Sequence, residues 1–127
     1  MANPNIVAVT AIVGNSLSVA VGTSATQLAS NAASSGKVYK INSIVIANID
    51  GTTAADVTVN IYSAAALGGT GLAIASTISV PADASLIVTD KTTSFYLLEN
   101  QSNGAIAGAA GDLVATASWE EITGPAP

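Results

Sequence analysis

The sequence predicts an all-β chain: a single-domain antiparallel β-sandwich, jelly-roll-like, of about eight short strands. Three observations carry that expectation. Val and Ile recur with a period of two in segment after segment. Clusters of Gly, Asn, Asp and Ser break the segments at short intervals, as all-β sandwiches require. A length of 127 residues suits one domain, able to build a core without disulfide or metal.

The elements follow in order. Ile6–Val13 and Leu17–Val21 read as two strands either side of Gly14-Asn15-Ser16. Val38–Ala47 is the third. In it Ile44 and Ile46 alternate with Val45 and Ala47, leaving little polarity on either side, so cover is expected on both faces, from the opposite sheet or a neighbouring subunit. Asn48–Ala54 reads as a hairpin loop with Gly51 free to take positive φ. Val57–Tyr62 alternates most cleanly, with Val57, Val59 and Ile61 on a core face and Asp56, Thr58, Asn60 and Tyr62 on a wet one.

Ala64–Gly71 reads as a loop, because closely spaced glycines would end any helical turn. Ile74–Val80 is a strand closed by Pro81, which cannot donate to a ladder. Leu86–Val88, Phe95–Leu98 and Leu113–Trp119 complete the set, and helix content is expected to be very low. Ala105–Gly111 is small and flexible in composition. Residues 1–5 and 123–127 read as arms around a 6–122 domain, the last carrying two prolines; each arm is expected to be disordered or laid on another chain.

Composition removes most chemistry. Without His or Cys there is no imidazole base, thiolate nucleophile or zinc–thiolate site. With no Arg, three lysines (Lys37, Lys40, Lys91) and a net charge of -5, a nucleic-acid partner is not expected. No run of apolar residues approaches a membrane span, and no charged region precedes an apolar one at the N-terminus, so neither a membrane nor a standard export signal is expected.

The remaining motifs read as structure. Asn48-x-Asp50-Gly51 echoes a calcium loop, but the first ligand position falls on Ile46 and the closing Glu position on Val57, with Asp56 one residue short; a plain Asp-Gly turn is the reading. Gly68-Gly69-Thr70-Gly71 lacks the Lys-Ser/Thr of a phosphate loop. Ser35 and Lys37 form a Ser-Lys pair only in what reads as an exposed turn. Glu120 and Glu121, adjacent on a strand, point to opposite faces and cannot act together. No catalytic residue, metal or cofactor is expected. Trp119 shares a strand face with Leu113, Ala115 and Ala117, and reads first as core and second as an interface anchor.

Four stretches carry a resemblance: Lys37–Gly51, Ala55–Val59, Ile78–Leu86 with its Val80-Pro81-Ala82 junction, and Ala115–Ile122 with Ser118-Trp119-Glu120-Glu121. Across residues 5–122 the chain resembles small structural proteins of tailed phages, particularly those of marine cyanobacteria. It departs from their pattern after Leu98-Glu99-Asn100, where a Gln-Ser-Asn-Gly-Ala-rich loop is expected in place of Leu-x-Glu-Gly-Asp.

The resemblance implies a virion component without enzymatic activity, a capsid decoration (cement) protein on the capsid exterior. It would bind the outer surface of the major capsid protein lattice as a homo-oligomer, with a trimer expected from the three-fold sites capsids offer. The alternative is a tail, neck or fibre part, including a module that binds host-surface glycans. The candidate oligomer or capsid interface is Ile44, Ile46, Trp119, Pro125 and Pro127.

Overall fold

The computed structural model describes residues 3–125. It is an antiparallel β-sandwich of nine strands: β1 (Ala11–Ala20), β2 (Thr26–Asn31), β3 (Lys37–Asn48), β4 (Ala55–Ala64), β5 (Gly68–Val80), β6 (Ser85–Thr89), β7 (Phe95–Leu97), β8 (Gln101–Ala107) and β9 (Leu113–Thr123). A 3-10 turn at Lys91–Thr93 is the helical element among the described residues. One sheet runs β1-β9-β3-β6, with β7 also paired to β3, and the other runs β2-β8-β4-β5. β4 and β5 form a hairpin, β6 and β7 follow each other along β3, and every other connection crosses between the sheets.

The period of two sets what lies between the sheets. Ile41, Ile44 and Ile46 of β3 and Leu113, Ala115 and Ala117 of β9 face Val57 and Val59 of β4 and Ala105 and Ala107 of β8, all fully buried. Six of these ten side chains are alanine or valine, so the apolar filling is thin and each of those removes little area from water. A bulge between Ile41 and Ser43 in the β3–β9 ladder keeps Ile41 and Ile44 on one face despite their spacing of three.

Two buried asparagines tie the sheets at opposite ends. Asn48 Nδ2 donates to the carbonyls of Thr53 and Val80, each at 2.9 Å, while its Oδ1 accepts from Asp50 N at 2.9 Å. Asn31 Nδ2 donates to the carbonyls of Lys37 at 2.8 Å and Leu97 at 3.2 Å, and its Oδ1 accepts from Ser35 Oγ at 2.6 Å. Each satisfies carbonyls that the sheet ladders leave open where the chain changes sheet.

Several sequence expectations change. The two strands expected at 6–13 and 17–21 become one continuous β1 over Ala11–Ala20, since Gly14 to Ser16 pair with β9 in unbroken register, while residues 6–10 form turns and bends ahead of it. β2 was not foreseen, and the loop expected after Asn100 contains β8, a central strand whose residues from Ser102 to Ala105 are buried. Asn48–Ala54 joins two sheets and so is not a hairpin. Positive φ there is not needed at Gly51, because Asp50 Oδ1 accepts from the backbone and hydroxyl of Thr52 and shapes the turn.

In the Ala64–Gly71 stretch only Ala65–Leu67 lies between strands, and Tyr62, placed on the wet face of β4, is buried over Gly71. Of the two expected arms, the described residues make contacts within the chain: Pro4 is buried, Asn3 Oδ1 accepts from Glu99 N at 2.9 Å, and Asn5 N donates to Pro125 O at 2.6 Å, while residues 1–2 and 126–127 lie outside the described residues.

Candidate functional site

Most of the polar groups are occupied by folding tasks, the exceptions being Glu99 Oε1 and the Asn103 side-chain amide, which are buried without a hydrogen-bond partner among the described residues. Ser35 Oγ donates to Asn31, and Lys37 Nζ lies 3.2 Å from Glu121 Oε1, so Ser35 and Lys37 do not form a dyad. Asp50 is held below the usual carboxylate range by hydrogen bonds from the Thr52 backbone and hydroxyl, and Asp90 by those from the Thr92 hydroxyl and backbone. Both are turn caps. Glu120 accepts from Asn42 Nδ2 at 2.9 Å, while Glu121 faces the other way, toward Lys37 and Asn15. Among the described residues no group of three acidic side chains is placed to hold a metal ion.

Of the expected interface residues, Ile44 and Ile46 have no exposed surface: both sit between the sheets, while their neighbours Val45 and Ala47 turn partly outward. Trp119 is half-buried, its ring stacked on Tyr39 with centroids 6.4 Å apart, and its Nε1 donates to Glu121 Oε2 at 3.4 Å. Glu121 Oε2 also accepts from Asn15 Nδ2 at 2.6 Å. Burial, reinforced by the Glu121 charge, raises the Tyr39 phenol above its ordinary value. Pro125 is exposed, and Pro127 lies outside the described residues.

The structure adds surfaces that the sequence did not single out. β1 carries Ile12 and Val13 more than half exposed on its two faces. On the far flank β5 exposes Leu72, Ile74 and Ile78. Beside it Ile61, Leu72, Ile74 and Gln101 line an open hollow of about 250 Å³. A second hollow of about 190 Å³ lies under the N-terminal segment, between Pro4, Ile6, Val38, Tyr96 and Leu98. The signal in the sequence was the lack of any charge or proline across both strands, legible only once they are known to be edges.

No protein-family model and no curated protein matches the chain. Solved structures do. A chain from the structure of Bacillus endospore appendages, described as a family of disulfide-linked pili, superposes with a TM-score of 0.52 at 20% identity, over 90% of this chain and 89% of that one. A chain from the acid-stable capsid structure of Helicobacter pylori bacteriophage KHP30 superposes with a TM-score of 0.53 at 6% identity, over 94% of this chain and 93% of that one. At these identities the likeness is one of fold: the whole β-sandwich, end to end, is shared with chains of two particle-forming or fibre-forming assemblies.

Proposed function

We propose that the chain is a non-enzymatic structural part of a virus particle, and specifically a decoration protein on the outer surface of the major capsid protein lattice. The observation that carries the reading is the end-to-end likeness to a chain of the phage KHP30 capsid structure, over 94% of this chain and 93% of that one. The sheet-swapping connections suit a jelly-roll-like capsid fold. Lack of His, Cys and Arg fits a part that works by contact, and a net charge of -5 favours the outside of a shell over its DNA-facing side.

The likeness to spore appendages favours a second reading, an appended fibre or tail part. This chain has no cysteine, so a disulfide-linked fibre is closed to it. Copy number separates the readings: quantitative mass spectrometry of purified virions should give hundreds of copies for a decoration protein and tens or fewer for a tail part. Absence from virions would remove both.

A further inference from the structure

A sandwich of two open sheets has four edges, and three of these are closed to further pairing. β2 has six residues, is mostly buried, and its ladder with β8 breaks register between Gln27 and Ala29. The edge beyond β3 is shared by β6, of five residues with a register break opposite Ile44 and Val45 and charged Asp83, Asp90 and Lys91 around it, and by β7, of three residues. β5 is long but bulged: its ladder with β4 shifts register at three places, leaving Ile74 and the Ser76-Thr77 pair out of step, with Thr77 at φ 50°. Bulges, short lengths and nearby charges are the devices by which sheets avoid edge-to-edge pairing.

β1 has none of them. Its ten residues pair with β9 from Ala11↔Thr123 to Ala20↔Val114 without a single shift, and Ala11-Ile-Val-Gly-Asn-Ser-Leu-Ser-Val-Ala20 holds no charge and no proline. Every second backbone N–H and C=O along about 33 Å of strand faces outward, with no strand beyond it among the described residues. Ile12 and Val13, each 55% exposed, flank that edge above and below.

We propose that β1 pairs antiparallel with β1 of a second copy, across a two-fold axis, joining the two β1-β9-β3-β6 sheets into one continuous sheet. The occupant is a second copy because the strand is its own best complement. It is the one regular, unprotected edge in the described fold, and it carries no charge that self-pairing would set against a like charge. A register centred on Asn15 or Ser16 keeps both sandwich interiors on the same side and sets Val13 of one copy opposite Leu17 or Val19 of the other. The unit is therefore a dimer, in place of the trimer expected from the sequence. The inference goes beyond the virion reading, and its test on the isolated chain is independent of copy number in particles.

The test is sedimentation velocity of the full chain from about 1 to 100 µM, a range suited to an interface smaller than the standard ~1,600 Å². Wild type should move from one copy to two. Ile12→Lys and Val13→Lys, both at exposed positions, should stay monomeric with unchanged circular dichroism, while Leu72→Lys on β5 should dimerise as wild type does. Amide hydrogen exchange needs no substitution: over the same range, exchange in Ala11–Ala20 should slow at least tenfold and exchange in β5 should not change. A monomer throughout, a dimer that survives both β1 substitutions, a dimer lost in Leu72→Lys, or protection that appears at another edge would each overturn the proposal.

Discussion

At the scale of single residues, stability rests on polar side chains placed where the chain leaves a sheet. Asn48 is 3% exposed and serves Thr53, Val80 and Asp50 at once, so Asn48→Ala strands two carbonyls and one amide in or near the interior. An unsatisfied buried group costs about 1–3 kcal/mol, so the substitution should lower stability by about 2–4 kcal/mol, read as a lower urea midpoint at unchanged slope. Tyr39 gives a pH signature. Its folded pKa is raised above 10.0 by burial and by Glu121, so the folded state holds the phenolic proton more tightly than the unfolded chain does. Its contribution is complete below pH 10 and is lost as pH rises from there through the folded value; Tyr39→Phe should flatten that alkaline decline in thermal midpoint. Neither role was legible beforehand. Asn48 looked like one more turn former beside Asp50-Gly51, and nothing in a sequence says which turn asparagine will find buried carbonyls.

At the scale of elements, alternation revealed the strands rich in Val and Ile and concealed those built from small residues. Val57, Val59 and Ile61 were placed correctly on the core side of β4, with Ile61 packed at its margin. β8 was read as loop because Gln101-Ser-Asn-Gly-Ala shows little β-propensity, yet its small side chains are what allow a central position. A Cβ on Gly104 would stand 2.7 Å from Thr26 O and 2.8 Å from Leu67 Cδ2, so β2 and the β4–β5 turn close onto β8 only where no side chain intervenes. Gly104→Ala should therefore cost about 1–3 kcal/mol in denaturant unfolding, whereas Gly14→Ala, with nothing within 4 Å, should be neutral or slightly stabilising. The β4–β5 turn holds Ala66 at φ 56° and Leu67 at φ 60°, left-handed values that disfavour both residues. It persists because the amides of Ala65, Ala66 and Leu67 are received by Asn100 Oδ1, Ser30 Oγ and Ser102 Oγ. Ala66→Asn, which tolerates that conformation and leaves those amides in place, should raise the thermal midpoint by the equivalent of about 1 kcal/mol.

At the scale of the whole molecule, the hydrophobic half of the composition overstates the core, because 25 residues are alanine and much of the larger apolar surface lies on β1 and β5. The fold class was legible because alternation survives a thin core. The interface was not, because a sequence does not say which strands end up at edges: Ile44 and Ile46 look doubly apolar and are interior, while Ile12 and Val13 look like an ordinary strand and are exposed. A thin core with an open edge couples folding to association. Any partner that binds only the folded chain adds RT ln(1 + [L]/Kd), about 2.7 kcal/mol at a hundred times Kd, and makes the melting temperature depend on concentration. For wild type the midpoint should climb several degrees between about 1 and 100 µM, and for Ile12→Lys it should stay level. Since β1 carries no charge, the climb should be the same at roughly 0.05 and 0.5 M salt, where an ion-paired joint would weaken as the Debye length shrinks. A climb that vanishes at high salt would point to the charged residues elsewhere on the surface as the source of association, and away from β1.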